Sequence, residues 1–189
     1  MQRAARVGAW AKAGAPKYPD SGLICKWIAG EDEGLVGSNF TPFFQDVSSA
    51  RNNRHLTIFQ SIKSFREFGY IVSFNAKGSG SQQFYRMNVQ TSGISVYCGK
   101  SQGTGLSLPI VGRFLVCFVI DNDKWTAYIS NGTSESSISS SAIDDSVYDV
   151  YGLQMRRQTY NSMLVYDRSF TAEQASEIIA IDKARFGLT

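Results

Sequence analysis

Short apolar or alternating segments, separated by turn residues, recur along most of this chain. Phe68–Ala76 (FGYIVSFNA) and Arg113–Asp121 (RFLVCFVID) are nearly continuous apolar runs, typical of strands buried on both faces, and the second is predicted to be central. Trp125–Asn131 (WTAYISN) alternates, as expected of a strand with one buried face. Further segments with strand character are Gly22–Ile28, a short strand from Leu56, Gln82–Gln90, Ile94–Gly99, Val150–Arg157 and Asn161–Arg168. Turns every ~8–12 residues between short strands predict an all-β sandwich or barrel.

Three stretches lack a strong strand pattern. Ala29–Phe44 is spaced by glycines and is interpreted as a loop, and a turn is predicted at Asn52-Asn53. Lys100–Gly112 is interpreted as a long connection. The serine-rich stretch 132–146 contains Ile138, which favours an exposed edge strand over a flexible linker.

The end of the chain has helical rather than strand character. Thr171 and Gln174 have the spacing of a capping box, and Gly187 is placed to end a helix of about 15 residues. Ala175, Ile178 and Ile179 form an apolar stripe on one side of this helix. Asp182 falls on the same side by its spacing. We expect this helix to pack against the sandwich or its rim.

The first twenty residues differ in charge from the rest of the chain. The net charge is +3, but residues 1–19 contain four basic residues and no acid, so the remainder has 15 basic and 16 acidic residues. We therefore divide the chain into a basic arm, 1–20, and a domain, 21–189. The residues expected to contact a partner are Arg3, Arg6, Trp10, Lys12 and Lys17. The near-neutral body argues against nucleic-acid binding.

No stretch has the length and hydropathy of a membrane span, and the N-terminus lacks the apolar segment of a secretion signal. We therefore expect no membrane partner, and synthesis in a cytoplasm. Three cysteines without a CxxC motif, together with a single histidine, argue against a zinc site. Cys117 lies within an apolar run and is predicted to be a buried free thiol.

The C-terminal third resembles the concanavalin A-like, laminin-G-type jelly roll. The residues that carry the resemblance are Asn131-Gly132, Gly152-Leu153, Met163–Arg168, Thr171–Gln174 and Phe186–Leu188, with looser matches at Gly22–Asp32 and Phe43–Asn53. The resemblance spans about 22–188. It implies a two-sheet antiparallel jelly-roll sandwich, with the C-terminal helix and the N-terminal arm added to it.

Proteins of this fold include glycoside hydrolases and calcium-binding domains. Retaining hydrolysis needs two carboxyls about 5–5.5 Å apart on one face. Adjacent Glu31, Asp32 and Glu33 do not fit that pattern, so we expect no enzyme activity. The same three residues, with Asp121 and Asp123, are the calcium candidates. Turn chemistry explains the latter two equally well. No other cofactor is expected.

Sugar binding requires exposed aromatic rings with polar neighbours. The candidates are Trp27, Tyr85, Tyr97, Tyr128 and Tyr151, and core packing is the alternative for each of them.

Two functions follow from these features. In the first, the chain is a non-catalytic bacteriophage virion component, such as a capsid decoration, head-fibre or tail protein, whose arm binds other virion proteins or further copies of the chain. In the second, it is a carbohydrate-binding module acting on cell-surface glycans. The two are compatible, since a virion surface protein can also adhere to glycans.

Overall fold

The computed structural model describes residues 16–29, 40–64, 69–76, 83–90, 93–99, 101–104, 113–132, 134–140, 149–155 and 159–187. These residues form strands and two helices. The strands are β1 Leu23–Ile28, β2 His55–Ser64, β3 Gly69–Ala76, β4 Gln83–Gln90, β5 Gly93–Cys98, β6 Ser101–Thr104, β7 Phe114–Asp121, β8 Lys124–Ser130, β9 Glu135–Ser140, β10 Val150–Met155 and β11 Thr159–Tyr166. The helices are α1 Phe40–Asn52 and α2 Ala172–Phe186.

The strands form two antiparallel sheets. One has the order β1-β11-β2-β7-β8-β9 and the other the order β10-β3-β4-β5-β6. This confirms the predicted antiparallel two-sheet sandwich with a C-terminal helix. Strand β7 lies between β2 and β8, as its continuous apolar sequence predicts, and the serine-rich β9 is an edge strand, also as predicted.

Aromatic side chains join the two sheets across the core. Phe74 and Tyr85 come from the five-stranded sheet, and Phe118 and Trp125 from the six-stranded sheet. The ring centroids of Tyr85 and Phe118 are 4.6 Å apart, and those of Phe118 and Trp125 are 5.7 Å apart. All four side chains are fully buried, so packing between the sheets accounts for part of the high aromatic content.

Helix α2 covers the outer face of the six-stranded sheet. Its predicted stripe is buried, and it packs with a second apolar cluster consisting of Phe59, Leu115, Cys117, Val119, Leu164 and Tyr166. The capping box is present: the Gln174 backbone N–H donates to Thr171 Oγ1, and the Thr171 N–H donates to Gln174 Oε1. Gly187 ends the helix with a φ of 63°. These local predictions are confirmed.

Helix α1 was not predicted, because residues up to Phe44 were interpreted as loop. Its sequence contains one Val and two Ser, which have modest helix propensity, so no strong local signal is present. Tertiary contacts stabilise it instead. Val47 and Ala50 are buried in the main core, and Ser48 Oγ accepts a 2.7 Å hydrogen bond from the backbone N–H of Val150 on β10. The loop interpretation of residues 40–44 is therefore wrong.

Two smaller differences concern strands. Strand β2 has ten residues from His55, so it is not short, and it follows a turn at Asn53-Arg54, one residue later than predicted. Strand β6 lies within the stretch interpreted as a long connection and pairs with β5. In the described residues, neither helix has the length and hydropathy to cross a membrane.

Candidate functional site

The outer face of the five-stranded sheet is polar. Strand alternation directs Val72, Phe74, Met87 and Val96 into the core, and the residues between them to the other side. Six described residues at the centre of that side form what we call the polar face: Ser73, Asn75, Arg86, Asn88, Ser95 and Tyr97. The outer face of the six-stranded sheet is by contrast apolar under α2.

Backbone register brings these side chains together in rows. Ser73 is opposite Arg86, and Arg86 is opposite Tyr97, in one row across β3, β4 and β5. Asn88 is opposite Ser95 in the next row. Strands lie about 4.8 Å apart, and residues i and i+2 about 7 Å apart, so the two rows cover an area comparable with one or two sugar rings.

Arg86 and Tyr97 form a stacked pair at the middle of this face. The guanidinium carbon of Arg86 lies 4.0 Å from the centroid of the Tyr97 ring. Both side chains are partly exposed. Contact with an aromatic face restrains the plane of the guanidinium group.

Asn88 and Ser95 provide neutral hydrogen-bonding groups beside this pair. They are 7% and 6% exposed. Neither side chain makes a hydrogen bond within the part of the chain that the structure describes. Ser73 is 3% exposed, and its Oγ donates to Asn75 Oδ1 at 3.3 Å. Ser73, Asn88 and Ser95 are thus buried polar groups, and the partly exposed members of the face are Asn75, Arg86 and Tyr97.

The structure places the aromatic sugar-binding candidates in different environments. Tyr85 is fully buried between the sheets, and its hydroxyl donates to Gln60 Oε1 at 3.3 Å, so it cannot stack on a sugar. Burial raises the pKa of Tyr85 above its ordinary value. Trp27 is on β1 and packs partly against the main core. Tyr128 packs with the cluster under α2, and burial raises its pKa as well.

The remaining two aromatic candidates lie on the five-stranded sheet. Tyr151 is on β10, and its side chain lies outside what is described. Tyr97 is on the polar face. Sequence reasoning missed Arg86, Asn88, Ser73 and Ser95 because single polar residues in alternating strands are usually solvent-facing. Only the register shows that they are neighbours.

The calcium candidates do not form a site among the described residues. Asp121 and Asp123 flank a tight β7–β8 turn, in which Asn122 has a φ of 54°. Asp123 pairs with Arg54, and Asp121 Oδ1 lies 3.4 Å from His55 Nδ1. No group of three potential metal ligands occurs in the described part of the chain. Turn chemistry is therefore the better interpretation of this pair. Glu31, Asp32 and Glu33 lie outside the described residues.

His55 also has a serine and an aspartate as neighbours, but without the geometry of a catalytic triad. Its Nδ1 lies 2.9 Å from Ser169 Oγ and 3.4 Å from Asp121 Oδ1, so both contacts involve the same ring nitrogen. A triad histidine binds its carboxylate through one nitrogen and its serine through the other. The Ser169 hydroxyl moreover donates to the Ile120 carbonyl oxygen. This cluster therefore joins β2, β7 and the chain before α2.

The end of the arm is attached to helix α2. Tyr18 is 6% exposed, and its hydroxyl donates to Asp182 Oδ1. The Arg185 guanidinium group lies over the Tyr18 ring at 5.1 Å and donates to the Pro16 carbonyl oxygen at 2.8 Å. Lys17 is exposed. The other predicted arm residues, Arg3, Arg6, Trp10 and Lys12, lie outside the described residues.

No protein-family model matches this chain, and no curated protein sequence matches it either. Among solved structures, Trypanosoma rangeli sialidase in complex with sialic acid is similar, with a TM-score of 0.51 and 10% identity over 67% of this chain and 23% of that chain. Leech intramolecular trans-sialidase has a TM-score of 0.48 and 13% identity over 87% of this chain and 28% of that chain. A GH54 arabinofuranosidase has a TM-score of 0.44 and 11% identity over 70% of this chain and 36% of that chain.

The chain thus corresponds to less than two fifths of the length of each of these proteins, the largest share being 36%. At such low identity the likeness concerns the fold alone. The chain is a β-sandwich of two antiparallel sheets, of a fold that is also found in part of a sialidase.

Proposed function

We propose that this chain is a non-catalytic, lectin-like module that binds glycans on its polar face. The observation that supports this is the contrast between the two outer sheet surfaces. Helix α2 and an apolar cluster cover the six-stranded sheet. The polar face of the five-stranded sheet instead consists of hydrogen-bonding side chains, three of them buried, around a partly exposed Arg86–Tyr97 pair.

The chemistry of this face suits binding better than bond cleavage. Sugar hydroxyls both donate and accept hydrogen bonds, as do the side chains of Asn75 and Tyr97, which are partly exposed. Glycoside hydrolysis by the common route needs a pair of carboxyl groups, and the strands of the five-stranded sheet contain neither Asp nor Glu. The likeness in fold to a region of a sialidase is compatible with this proposal.

Glycan-array screening of the full chain, followed by calorimetric titration of the best ligand, tests the proposal. Tyr97→Phe removes the hydroxyl of a partly exposed residue on the polar face, and we expect about tenfold weaker binding if that hydroxyl bonds the glycan. Tyr128→Phe is the matched control, because Tyr128 is also a partly exposed strand tyrosine, but on the other sheet. Absence of binding to any glycan, or equal affinities for the two variants, would contradict the proposal.

The attached end of the arm favours a second candidate, a structural component of a virion or cell surface. Tyr18 fixes the chain at Asp182, so the basic segment before residue 16 starts from a defined point on the domain. Such an arm is suited to binding a neighbouring subunit, either another protein or a second copy.

Light scattering of the full chain, and of a variant that lacks residues 1–15, tests this second function. The truncation stops at residue 15 because Tyr18 is part of the domain's packing. Arm-mediated assembly predicts an oligomer of the full chain and a monomer of the variant. Monomers in both samples, at concentrations where glycan binding is measurable, would leave only the first function. Detection of the chain in purified virions would locate it there.

A further inference from the structure

The hairpin that joins β8 to β9 contains the only asparagine of the chain that is followed by glycine, Asn131. The Asn131 backbone N–H donates to the Ser134 carbonyl oxygen at 3.1 Å and closes the loop. Gly132 follows with a φ of 99°, a conformation that favours glycine in tight hairpin loops. Asn131 and Gly132 are both partly exposed. Water can therefore reach this pair beside the edge strand β9.

Two hydrogen bonds in the loop prepare Asn131 and Gly132 to react with each other. The Ser134 backbone N–H donates to Asn131 Oδ1 at 2.8 Å. This donor polarises the side-chain carbonyl group and stabilises negative charge that develops on its oxygen. The Gly132 N–H donates to Ser130 Oγ at 3.2 Å, which polarises the N–H bond. Asn131 Cγ is thus made more electrophilic and the Gly132 nitrogen more nucleophilic.

Gly132 also leaves room for the two groups to approach each other. Apart from its chain neighbours, no atom of the described residues lies within 4 Å of a Cβ atom placed on Gly132. The Asn131–Gly132 peptide can therefore turn until its nitrogen faces the Asn131 side chain. Asn122 provides a contrast within the chain. It is exposed in the β7–β8 turn, but Asp123 follows it, and the side chain of Asp123 hinders the same approach.

We propose that Asn131-Gly132 is a site of self-modification, at which Asn131 is deamidated to aspartate and isoaspartate. The Gly132 nitrogen attacks Asn131 Cγ with its lone pair and forms a bond to it. The Cγ–Nδ2 bond breaks, and ammonia leaves with the proton of the Gly132 N–H. Water then adds to one of the two carbonyl groups of the five-membered imide and opens the ring. One opening gives aspartate, the other gives isoaspartate, and no atom is oxidised or reduced.

The isoaspartate product changes the edge of the six-stranded sheet. Its backbone runs through the former side chain, so the chain is one carbon longer at position 131. The longer backbone displaces the hydrogen bonds between Asn131 and Ser134 that close the hairpin. Strand β9 is at the end of its sheet and pairs only with β8 among the described strands. We therefore expect β9 to lose pairing as the protein ages, so that β8 becomes the new edge.

Peptide mapping of the folded full chain during incubation at mildly alkaline pH tests the proposal. We expect the Asn131 peptide to be converted to two products of the same, slightly higher mass, one with aspartate and one with isoaspartate. Asn122 in the same sample is expected to remain unchanged. In water enriched in a heavy oxygen isotope, both products should contain one solvent oxygen. Hydrogen exchange of the isoaspartate form should show a loss of protection in β9.

Three variants locate the cause. Ser130→Ala removes the acceptor of the Gly132 N–H and is expected to slow the conversion about two- to tenfold. Ser137→Ala is the matched control, because Ser137 is an exposed serine on β9 of the same hairpin, and its rate should equal that of wild type. Gly132→Ala adds a Cβ atom and is expected to abolish isoaspartate formation over the same period. Circular dichroism confirms that each variant is folded.

Several results would overturn the proposal. An unchanged Asn131 in the folded chain, or aspartate without isoaspartate, excludes the imide route, because direct hydrolysis of the amide gives aspartate alone. Equal conversion of Asn122 shows that the Asn131-Gly132 loop has no special reactivity. Equal rates in wild type and Ser130→Ala overturn the part assigned to the hydrogen bond between Gly132 and Ser130.

Discussion

Gly22 lies where the chain enters β1, and its backbone conformation requires glycine. Its φ is 75°, and a Cβ atom at this position would come 2.5 Å from Asp167 Oδ1. The Gly22 carbonyl oxygen also accepts a 2.8 Å hydrogen bond from the Asp167 N–H. A side chain at position 22 would therefore require the Asp167 and Arg168 side chains to move.

Gly22→Ala is expected to be more destabilising than Gly187→Ala. Gly187 has a similar φ of 63°, but among the described residues nothing beyond its chain neighbours lies within 4 Å of a Cβ atom placed there. Its substitution therefore costs only the backbone strain, about 1–2 kcal/mol. Gly22→Ala adds a steric clash, and we expect a total of roughly 2–4 kcal/mol. Urea unfolding of both variants measures the difference, and equal losses would show that the corner adapts.

Asp182 is a buried carboxyl group that faces Tyr18 and Ser162, both of which donate hydrogen bonds to it. Burial raises its pKa above the ordinary value, and these hydrogen bonds act in the opposite direction. The folded state therefore holds the proton more tightly than the unfolded chain does. Its contribution to stability is greatest at acidic pH and is lost as the pH rises from about 4 through the folded pKa.

Asp182→Asn removes this titration and keeps an oxygen that can accept the same hydrogen bonds. We expect the free energy of unfolding of the variant, minus that of wild type, to increase with pH above about 4, by at most about 1.4 kcal/mol per pH unit. Other titrating groups contribute equally to both proteins and cancel. Denaturant unfolding between pH 4 and pH 7 measures this difference, and parallel pH profiles would contradict the prediction.

At the level of elements, the two helices differ in what determines them. Helix α2 has a capping box, an apolar stripe and a terminal glycine within its own sequence. Helix α1 has weaker local signals and depends on its contacts. Ser48 Oγ donates to the Phe44 carbonyl oxygen and accepts from the Val150 N–H, so one hydroxyl joins the helix to β10.

Ser48→Ala is expected to lower the free energy of unfolding by about 1–3 kcal/mol, because it leaves the buried Val150 N–H without its acceptor. Ser49→Ala is the matched control, since Ser49 is exposed on the same helix. Alanine has the higher helix propensity, so the control should be neutral or slightly stabilising, by a few tenths of a kcal/mol. Equal midpoints of thermal unfolding for the two variants would contradict this role of Ser48.

For the whole molecule, Pro16–Asp20 acts as part of the domain. The Tyr18 ring lies 6.4 Å from that of Phe59 on the six-stranded sheet, beneath Arg185 of α2. We expect a variant that lacks residues 1–20 to be less stable than one that lacks residues 1–15 by roughly 3 kcal/mol, the cost of removing a large buried aromatic side chain. Denaturant unfolding compares the two truncations. Indistinguishable stabilities would show that Tyr18 contributes little.

Local patterns in the sequence determined much of the architecture. Alternation and apolar runs located most strands, because side-chain direction in a strand has a period of two whatever the neighbours are. Cap residues and an apolar stripe defined α2, since capping is satisfied within a few residues. The apolar sequence of β7 indicated its central position, because both faces of such a strand must be buried.

Only the tertiary structure decided which side chains meet. Tyr85 and Tyr97 are both strand tyrosines, but one is fully buried and the other lies on the polar face, and their sequence neighbours do not distinguish them. The rows that join Arg86 to Tyr97, and Asn88 to Ser95, arise from the pairing of β4 with β5. Register depends on contacts between strands, so a pattern read along one strand cannot contain it.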